Sequence, residues 1–284
     1  MRLFVHGGVS GRPKPPRSLT YAVAAGAAQP TALDAVEAAV VAMEDDPDLN
    51  SGFGSAPNRG GAVEMDAGIA DGSSGRAAGV ACVNVRNPIV LARKVLEETP
   101  HVLLVGSGAA ALAEASGIEF LDTTSDEQLR RWEAARAAGK LESGHYGTAE
   151  HVDTVGAIAL DDSGRLAAAS STGGVFGQLP GRVGDAPIFG AGIYASTRVA
   201  VVGTGVGEAF LQTLACGRVA QLVEDGVDLA VACAKTIGFI DEHFPGSAAG
   251  LLALDSDGYA SAMFNGGSWV VEGPGGTFEA TQLG

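Results

Sequence analysis

The sequence has few features that would tie the chain to a membrane or to a nucleic acid. No apolar run is long enough to span a bilayer, and the apolar stretch near the start is shorter than a signal peptide requires. Lysine and arginine total 18 against 33 aspartates and glutamates, which gives a net charge of −15, and basic residues form no dense run. We therefore expect no nucleic-acid partner, no membrane partner and a cytoplasmic location.

Cysteine is also scarce. The three cysteines, Cys82, Cys216 and Cys233, are far apart, and no Cys-x-x-Cys pair or Cys/His cluster occurs. An odd and scattered set argues against a disulfide framework, and the missing clusters argue against a structural zinc site. This pattern is typical of a protein from a reducing compartment.

Apolar residues and glycine are abundant by contrast. Of the 284 residues, 46% are hydrophobic, which is enough for a sizeable core and excludes intrinsic disorder. Glycine accounts for 42 residues, many of them beside short apolar runs. Glycine in such places indicates that the backbone comes close to another group.

In the first half, the apolar spacing predicts both strands and helices. Thr31 and Asp34 resemble a capping box at the start of one predicted helix. Residues 139–150 lack any periodicity and are predicted to form an exposed linker, with a boundary near residue 153. The predicted strands span 3–6, 62–71 and 78–86, and the predicted helices span 31–46, 88–98, 107–116 and 125–138.

The second half is predicted to open with a β-hairpin, in which 155–160 and 165–171 flank the turn sequence Asp161-Asp-Ser-Gly164. Strands then cluster with strands and helices with helices, so the predicted fold class is α+β. The later predictions are strands near 187–194 and 198–203, helices near 207–224 and 228–242, and a hairpin of 249–255 with 259–264.

The first hairpin brings hydroxyl side chains together at its open end. If Leu160 pairs with Arg165, Thr154 faces Ser171. With a three-residue loop, Thr154 faces Thr172 instead, and directly opposed residues lie about 5 Å apart. A threonine that follows a loop and begins a strand can become a new N-terminus, whose α-amine activates its own hydroxyl. The simpler interpretation is a β-branched residue at the start of a strand.

A pair of opposite charges and a glycine-rich turn follow. In the Gly- and Pro-rich stretch 179–185, Arg182 can bind a carboxylate bidentately and Asp185 can accept an ammonium. Such a clamp suits the α-carboxyl and α-amino groups of one amino acid, whereas the simpler alternative is a surface ion pair. Residues 199–208 are predicted to run from strand to helix through glycines, whose N–H groups either stabilise an oxyanion or only form a tight turn.

Together these motifs resemble the plant-type asparaginase and isoaspartyl peptidase family of N-terminal-nucleophile hydrolases, which also includes glycosylasparaginase and the threonine aspartase. The resemblance covers nearly the whole chain, with the motifs in the family's order and spacing. The motifs are HGG at 6–8, NSGFGS at 50–55, MDAGIADG at 65–72, RNP at 86–88, TVGAIALD at 154–161, STGG at 171–174, LPGRVGDAPIFGAGIYA at 179–195 and GTGVGE at 203–208.

The resemblance implies a four-layer αββα sandwich and a precursor that cleaves itself between Asp153 and Thr154. It implies that segments 1–153 and 154–284 form one folded domain, and that two such units pair as a homodimer. Thr154 is then the nucleophile of both self-cleavage and hydrolysis. The other catalytic residues that the resemblance implies are Thr172, which supports the Thr154 hydroxyl, Asn50, which orients it, and Thr204 and Gly205, which supply the oxyanion hole.

For the substrate, the resemblance implies that Arg182 binds the α-carboxylate and Asp185 the α-ammonium. The implied reaction is hydrolysis of the side-chain amide of L-asparagine or of β-aspartyl dipeptides, with glycosylated asparagine as an alternative, because the clamp treats all three alike. No catalytic cofactor or metal is expected. A structural sodium ion is expected near residues 42–50.

Some positions depart from the family's pattern. Asp153 stands where many family asparaginases have glycine, and Asp185 argues against the protein-cleaving branch. Two hypotheses from other classes are a non-catalytic scaffold, which would not require so many polar site residues, and a nucleotide-binding protein. Residues 102–111 fit its G-x-G-x-x-A fingerprint, but the βαβ unit that the fingerprint requires does not follow.

Overall fold

The computed structural model describes residues 1–10, 17–141 and 154–283. Within these residues the chain forms two β-sheets and eight α-helices, a mixed α/β fold. Most of the predicted linker 139–150, and Asp153 with the predicted cleavage junction, lie outside the described residues. In the described part, no helix is both long and apolar enough to cross a membrane.

Thirteen strands are formed by the described residues, and short apolar runs make up most of them. They are β1 (Arg2–Ser10), β2 (Met65–Asp71), β3 (Arg76–Val83), β4 (Leu103–Val105), β5 (Val155–Leu160), β6 (Leu166–Thr172), β7 (Ile193–Ala195), β8 (Val199–Gly205), β9 (Ala249–Asp255), β10 (Ala260–Phe264), β11 (Ser268–Gly273), β12 (Gly276–Thr277) and β13 (Thr281–Gln282). Eight strands form one sheet in the order β12-β11-β1-β5-β6-β2-β3-β4, and five form the other in the order β13-β10-β9-β8-β7.

Most of the helices pack an apolar face against one of the sheets. They are α1 (Thr20–Ala27), α2 (Ala32–Glu44), α3 (Pro88–Glu98), α4 (Gly106–Ala115), α5 (Asp126–Ala137), α6 (Gly207–Thr213), α7 (Ala215–Glu224) and α8 (Leu229–His243), and a short 3-10 helix spans Gly52–Gly54. The N-cap half of the predicted capping box of α2 is confirmed, because the Thr31 hydroxyl accepts a hydrogen bond from the backbone N–H of Asp34 at 3.2 Å, and the Asp34 carboxylate accepts from this hydroxyl at 2.6 Å.

Three buried apolar clusters hold these elements together. One lies between the eight-stranded sheet and α1–α4, one between the two sheets, and one between the five-stranded sheet and α6–α8. Because successive side chains of a strand point to opposite faces, β5 contributes Ala157 to the first cluster and Ile158 to the second. Even-numbered residues of β5 therefore face the five-stranded sheet.

Two predicted elements of the second half are wrong in extent. The strand near 187–194 is reduced to β7, because Gly190 takes a positive φ of 90° and the preceding residues turn. The helix over 207–224 is broken into α6 and α7 by Leu214, which adopts a left-handed conformation with a φ of 49°. The spacing of apolar residues does not reveal a single residue whose backbone adopts the left-handed conformation.

Candidate active site

The hairpin register places Thr154 opposite Thr172. The backbone N–H of Asp161 donates to the carbonyl oxygen of Arg165, which closes a three-residue loop. Val155 then pairs with Ser171, and the same register continues to Thr154 and Thr172. The second of the two predicted registers is therefore the one that forms. Both threonines are buried.

Strand alternation separates Thr172 from its neighbour Ser171. Thr172 shares a face with Ala168, which packs between the two sheets, whereas Ser171 shares a face with Ala169, which packs towards the helices. On the helix side, burial raises the pKa of Glu44 to about 8, and the nearby Ser171 hydroxyl and the backbone N–H of Ile89 oppose this rise. The nucleophile candidate thus lies between the sheets, not under the helices.

Thr204 reaches the same space from the five-stranded sheet. It lies on the face of β8 that carries Ala200 and Val202, which pack between the sheets. Its hydroxyl oxygen accepts a hydrogen bond from the backbone N–H of Val9 at 3.2 Å, so this contact joins the two sheets. Next to it, Gly205 has a φ of 141°, and a Cβ there would collide with the Ala248 carbonyl. A side chain at this position is therefore excluded on two grounds.

Asn50 holds the end of β6. Its side-chain amide donates to the carbonyl oxygen of Gly174 at 2.6 Å and accepts from the backbone N–H of Ala56 at 2.9 Å. Its own carbonyl oxygen accepts from the backbone N–H of Gly173 at 2.7 Å. Asn50 thus fixes the two residues that directly follow Thr172.

Arg182 is held by an acid that the clamp hypothesis did not include. Its Nε and Nη2 atoms donate to the two carboxylate oxygens of Glu208 at 3.0 and 3.1 Å, a bidentate pair. Its side chain is only 16% exposed, which excludes the simpler interpretation of a surface ion pair. Burial alone would lower the pKa of Arg182, but Glu208 raises it, so the guanidinium remains charged.

Asp185 is buried beside this pair and is only partly satisfied. Its Oδ2 atom has no hydrogen-bond partner among the described residues. Burial raises the pKa of Asp185 to about 7, although the nearby Arg182 charge opposes the rise. A Cβ on Gly207 would lie 2.7 Å from Arg182 Nη2 and 2.8 Å from Asp185 Oδ1, so both side chains converge on this glycine. The arrangement leaves an acceptor available for a cation.

Besides Glu208, two residues of the site were given no role by the sequence. Asp66, which pairs with Thr172 across β2 and β6, is buried and accepts hydrogen bonds from the backbone of Cys82 and Gly184. A charged residue inside an apolar strand is the signal that identifies it, because carboxylates are seldom fully buried without partners.

The second of these residues is His6, which lies against Thr154 and Gly156. A Cβ on Gly156 would approach His6 Nε2 to 2.5 Å, so the glycine makes room for the ring. Burial lowers the pKa of His6 to about 3, and the backbone of Thr154 opposes this shift. The ring is therefore neutral, and the sequence offered only its place in the HGG motif as a signal.

The segment with the nucleotide-binding fingerprint forms a different structure. Residues 103–105 are an edge strand of three residues, parallel to β3, and α4 follows directly. The described chain after α4 continues into α5, not into a further parallel strand. The βαβ unit that holds a dinucleotide is thus not formed around this helix.

Comparison with known proteins agrees with the motifs. Residues 16–272 match the family model described as asparaginase. The isoaspartyl peptidase of Salmonella typhimurium is 43% identical over 247 residues, which cover 83% of this chain and 78% of that protein. The plant-type L-asparaginase of Pyrobaculum calidifontis is 40% identical over 278 residues, 93% of each chain. The human isoaspartyl peptidase/L-asparaginase is 38% identical over 238 residues, which cover 80% of this chain and 75% of the human protein.

The family-model match extends over strands of both sheets and includes Asn50, Thr154, Arg182 and Thr204, so it concerns most of the chain and not one motif. The chain therefore belongs to the asparaginase family of N-terminal-nucleophile hydrolases.

Proposed function

We propose that this protein hydrolyses the side-chain amide of L-asparagine and of β-aspartyl dipeptides and releases L-aspartate. The observation that carries the proposal is the position of Thr154 opposite Thr172, with the Arg182 and Asp185 pair in the same chain. The relatives named isoaspartyl peptidase and L-asparaginase support both substrates. They favour these substrates over glycosylated asparagine, a nucleotide or a scaffold role.

The active form arises by self-cleavage between Asp153 and Thr154. The Thr154 hydroxyl attacks the Asp153 carbonyl, the peptide bond becomes an ester, and water hydrolyses that ester. The reaction leaves a carboxylate on Asp153 and a free α-amine on Thr154. Segments 1–153 and 154–284 stay together as one domain, a four-layer αββα sandwich, which the three apolar clusters between sheets and helices support.

In hydrolysis, the freed α-amine of Thr154 takes the proton of its own hydroxyl as the oxygen attacks the side-chain carbonyl of the substrate. A β-aspartyl ester forms, and ammonia or the downstream amino acid leaves with a proton. Water then cleaves the ester and releases aspartate. Thr172 supports the nucleophile, and Asn50 acts through the residues after Thr172 that it holds.

The oxyanion is stabilised by Thr204 and Gly205. Because the hydroxyl oxygen of Thr204 already accepts from the Val9 N–H, its own hydrogen is free to donate. Thr204 lies on the face of β8 that packs between the sheets, the face on which the register of β5 also places Thr154. The group is thus fixed before the negative charge develops.

The α-carboxylate of the substrate binds to Arg182, and its α-ammonium binds to Asp185. Glu208 takes the N–H of Nε and one N–H of Nη2, so the two N–H groups of Nη1 and the second N–H of Nη2 remain for the substrate. The ammonium supplies the partner that Asp185 Oδ2 lacks. Both groups belong to the aspartyl part of the substrate, and this explains how substrates with different leaving groups share the site.

A structural sodium ion near residues 42–50 is part of the proposal. Cβ atoms on Gly52 and Gly54 would collide with the carbonyl oxygens of Glu44, Pro47 and Leu49, so several backbone oxygens of this loop lie close together against the two glycines. Oxygen ligands suit a hard cation. If the ion binds, the melting temperature in sodium chloride exceeds that in choline chloride of equal ionic strength, and equal values would exclude the site.

We also propose that two of these units form a homodimer in the cytoplasm. Val105 of β4, the edge strand of the large sheet, is 51% exposed, and Val102 directly before this strand is 59% exposed; an exposed apolar edge favours association. The three cysteines are free, as in a reducing compartment. Sedimentation at several concentrations tests the dimer, and a monomer throughout would refute it.

Intact-mass spectrometry of the purified protein, fresh and after incubation, tests the function. We expect two fragments that divide between Asp153 and Thr154, and release of L-aspartate from L-asparagine and from a β-aspartyl dipeptide. Thr154→Ala is expected to remain one chain and to lose activity by more than about a thousandfold, whereas Thr154→Ser keeps a nucleophile and retains both reactions in part. Wild-type hydrolysis by Thr154→Ala would refute the mechanism.

A further inference from the structure

Asp66 joins three separate segments of the site. It pairs with Thr172 of β6, its Oδ1 accepts the backbone N–H of Cys82 at 3.0 Å, and its Oδ2 accepts the backbone N–H of Gly184 at 2.8 Å. The residue is buried, so both oxygens exchange water for these donors. A carboxylate placed in this way connects the strand beside the nucleophile to the loop that carries Arg182 and Asp185.

The bond to Cys82 depends on an irregular strand. Met65 pairs with Val83 and Ala67 with Val80, so two residues of β3 lie opposite the single residue Asp66. This β-bulge turns the N–H of Cys82 towards the carboxylate. Cys82 has a φ of 53°, a conformation that is unfavourable for a residue with a side chain and that persists only where the surroundings enforce it.

The bond to Gly184 acts on the clamp itself. Gly184 lies between Arg182 and Asp185 in the sequence, and a Cβ there would come within 2.8 Å of Arg182 Nη1. The guanidinium therefore rests against the backbone that Asp66 holds. If this backbone moves, Nη1 of Arg182 loses the surface against which it packs.

We propose that Asp66 is a positioning residue for substrate recognition, which sets the place of Arg182 and Asp185 by holding Gly184. The inference rests on the proposed function, because it assumes that these two residues bind the aspartyl part of the substrate. Asp66 does not touch the substrate, so its loss weakens binding and leaves the chemical step at Thr154 in place. Small displacements of such binding groups have large effects on enzymes.

The charges around Asp66 agree with this role. The groups that face it are Arg182, Asp185, Glu64 and the Cys82 thiol, with Glu208 bound to the same arginine. Burial raises the pKa of Asp66 to about 6, whereas the Gly184 and Cys82 N–H groups and Arg182 oppose the rise. Asp66 is thus charged at neutral pH and accepts both bonds.

The test compares Asp66→Asn with Asp71→Asn, the same change at the other end of β2, where the carboxylate accepts from the turn residues Ser73 and Ser74. In Asp66→Asn, an NH2 group that can only donate replaces one of the two carboxylate oxygens. The backbone N–H of either Cys82 or Gly184 therefore loses its acceptor. For Asp66→Asn we expect KM for L-asparagine and the inhibition constant of L-aspartate to rise about tenfold or more, with kcat within about threefold of wild type.

Self-cleavage, followed by intact mass, is expected to proceed in both variants, because Asp66 acts on the loop and not on Thr154. Asp71→Asn is expected to keep wild-type KM. An unchanged KM in folded Asp66→Asn, or a fall in kcat alone, would overturn the proposal. Failure of wild-type protein to bind L-aspartate would instead refute the proposed function.

Hydrogen exchange of the wild-type chain provides a second measurement that needs no variant. If Asp66 holds Gly184, the amide of Gly184 exchanges far more slowly than an exposed loop amide, and its protection decreases as the pH falls through about 6. If the Gly184 amide of the wild-type chain exchanges as fast as an unprotected amide, the proposal is overturned, even if Asp66→Asn fails to fold.

Discussion

Two buried aspartates, one in the turn of the first hairpin and one at the candidate site, differ in how the chain satisfies their carboxylates. The difference separates a residue that stabilises the fold from a residue that is available to a ligand. Asp161, at the closed end of the first hairpin, and Asp185, in the substrate loop, are 6% and 3% exposed. Burial alone would raise the pKa of both carboxyls. For Asp161, the Ser163 hydroxyl and the backbone N–H groups of Ala32 and Arg165 prevail and lower the pKa to about 2.

Asp185 has no such set of donors. Burial raises its pKa to about 7, and one of its oxygens has no partner among the described residues. The turn end of the hairpin is therefore satisfied by the chain itself, which stabilises the fold. The site end leaves a buried acceptor unsatisfied, which costs stability and provides a place for an ammonium.

The largest expected difference between the two aspartates is in the effect of their substitution on activity. Asp185→Asn removes the charge that we propose binds the substrate ammonium, so we expect kcat/KM to fall by about a hundredfold or more. Steady-state assays with L-asparagine measure this. Asp161→Asn serves as the opposite-end control and is expected to retain nearly all activity, so equal losses in the two variants would remove the distinction between the two ends.

The second expected difference between the two aspartates is in stability, where substitution of Asp161 has the larger effect. Asp161→Ala leaves the N–H of Ala32 at the start of α2 and the turn donors unpaired, and we expect it to lower the free energy of unfolding by about 2–4 kcal/mol. The matched control is Asp162→Ala next to it, because the Asp162 side chain is 92% exposed. Urea unfolding in a Thr154→Ala background, which keeps one chain, measures both. A control that loses as much would contradict the assignment.

The third prediction concerns pH. The pKa of Asp185 is higher in the folded chain, about 7, than in the unfolded chain, about 3.8, so the folded state binds the extra proton between these values. Its contribution to stability is present at low pH and is lost as the pH rises through about 7, with a slope of at most about 1.4 kcal/mol per pH unit. Asp161 behaves in the opposite way, because its contribution is present above about 3.8 and is lost as the pH falls through about 2.

Urea unfolding between pH 5 and 9, again in the Thr154→Ala background, tests how Asp185 contributes to the free energy of unfolding. Adding Asp185→Asn is expected to flatten the decline and to give equal or higher stability at pH 8. Parallel curves for the two proteins would show that Asp185 is not the group responsible.

The smallest expected effect comes from a methyl group. Gly207→Ala places a Cβ against both Arg182 and Asp185, so KM is expected to rise about threefold to tenfold. Gly108→Ala, in α4, meets nothing within 4 Å and is expected to raise stability by about 0.5–1 kcal/mol without changing KM. Equal KM values in the two variants would show that Gly207 is not tightly packed against the clamp.

Much of the fold was predictable where the signal is local. The capping box at Thr31 and the turn at Asp161 lie within a few residues of their partners, and both form. The strand near 187–194 was wrong and the break at Leu214 was missed, because both depend on single backbone conformations that apolar spacing does not encode.

The site was predictable only in part for a similar reason. Residue type and spacing pointed to Thr154, Arg182 and Asp185, but they left two hairpin registers open and gave Arg182 no internal partner. The register was decided by loop closure at Asp161, and the partner by Glu208 on a different element. The loop at Asp161 is local, but two loop lengths suit the same turn residues, and the spacing of residues does not express the contact between Arg182 and Glu208.

By itself, the sequence determined the elements that depend on contacts between residues close in the chain, namely the hairpin and its turn and the amphipathic helices. It also determined the order of the motifs. Only the tertiary structure decided how the site is assembled. It joined Asp66 to Gly184 across 118 residues and Val9 to Thr204 across 195. The physical reason is that burial leaves a polar group no water to bind, so distant segments must meet in the one arrangement that supplies its partners.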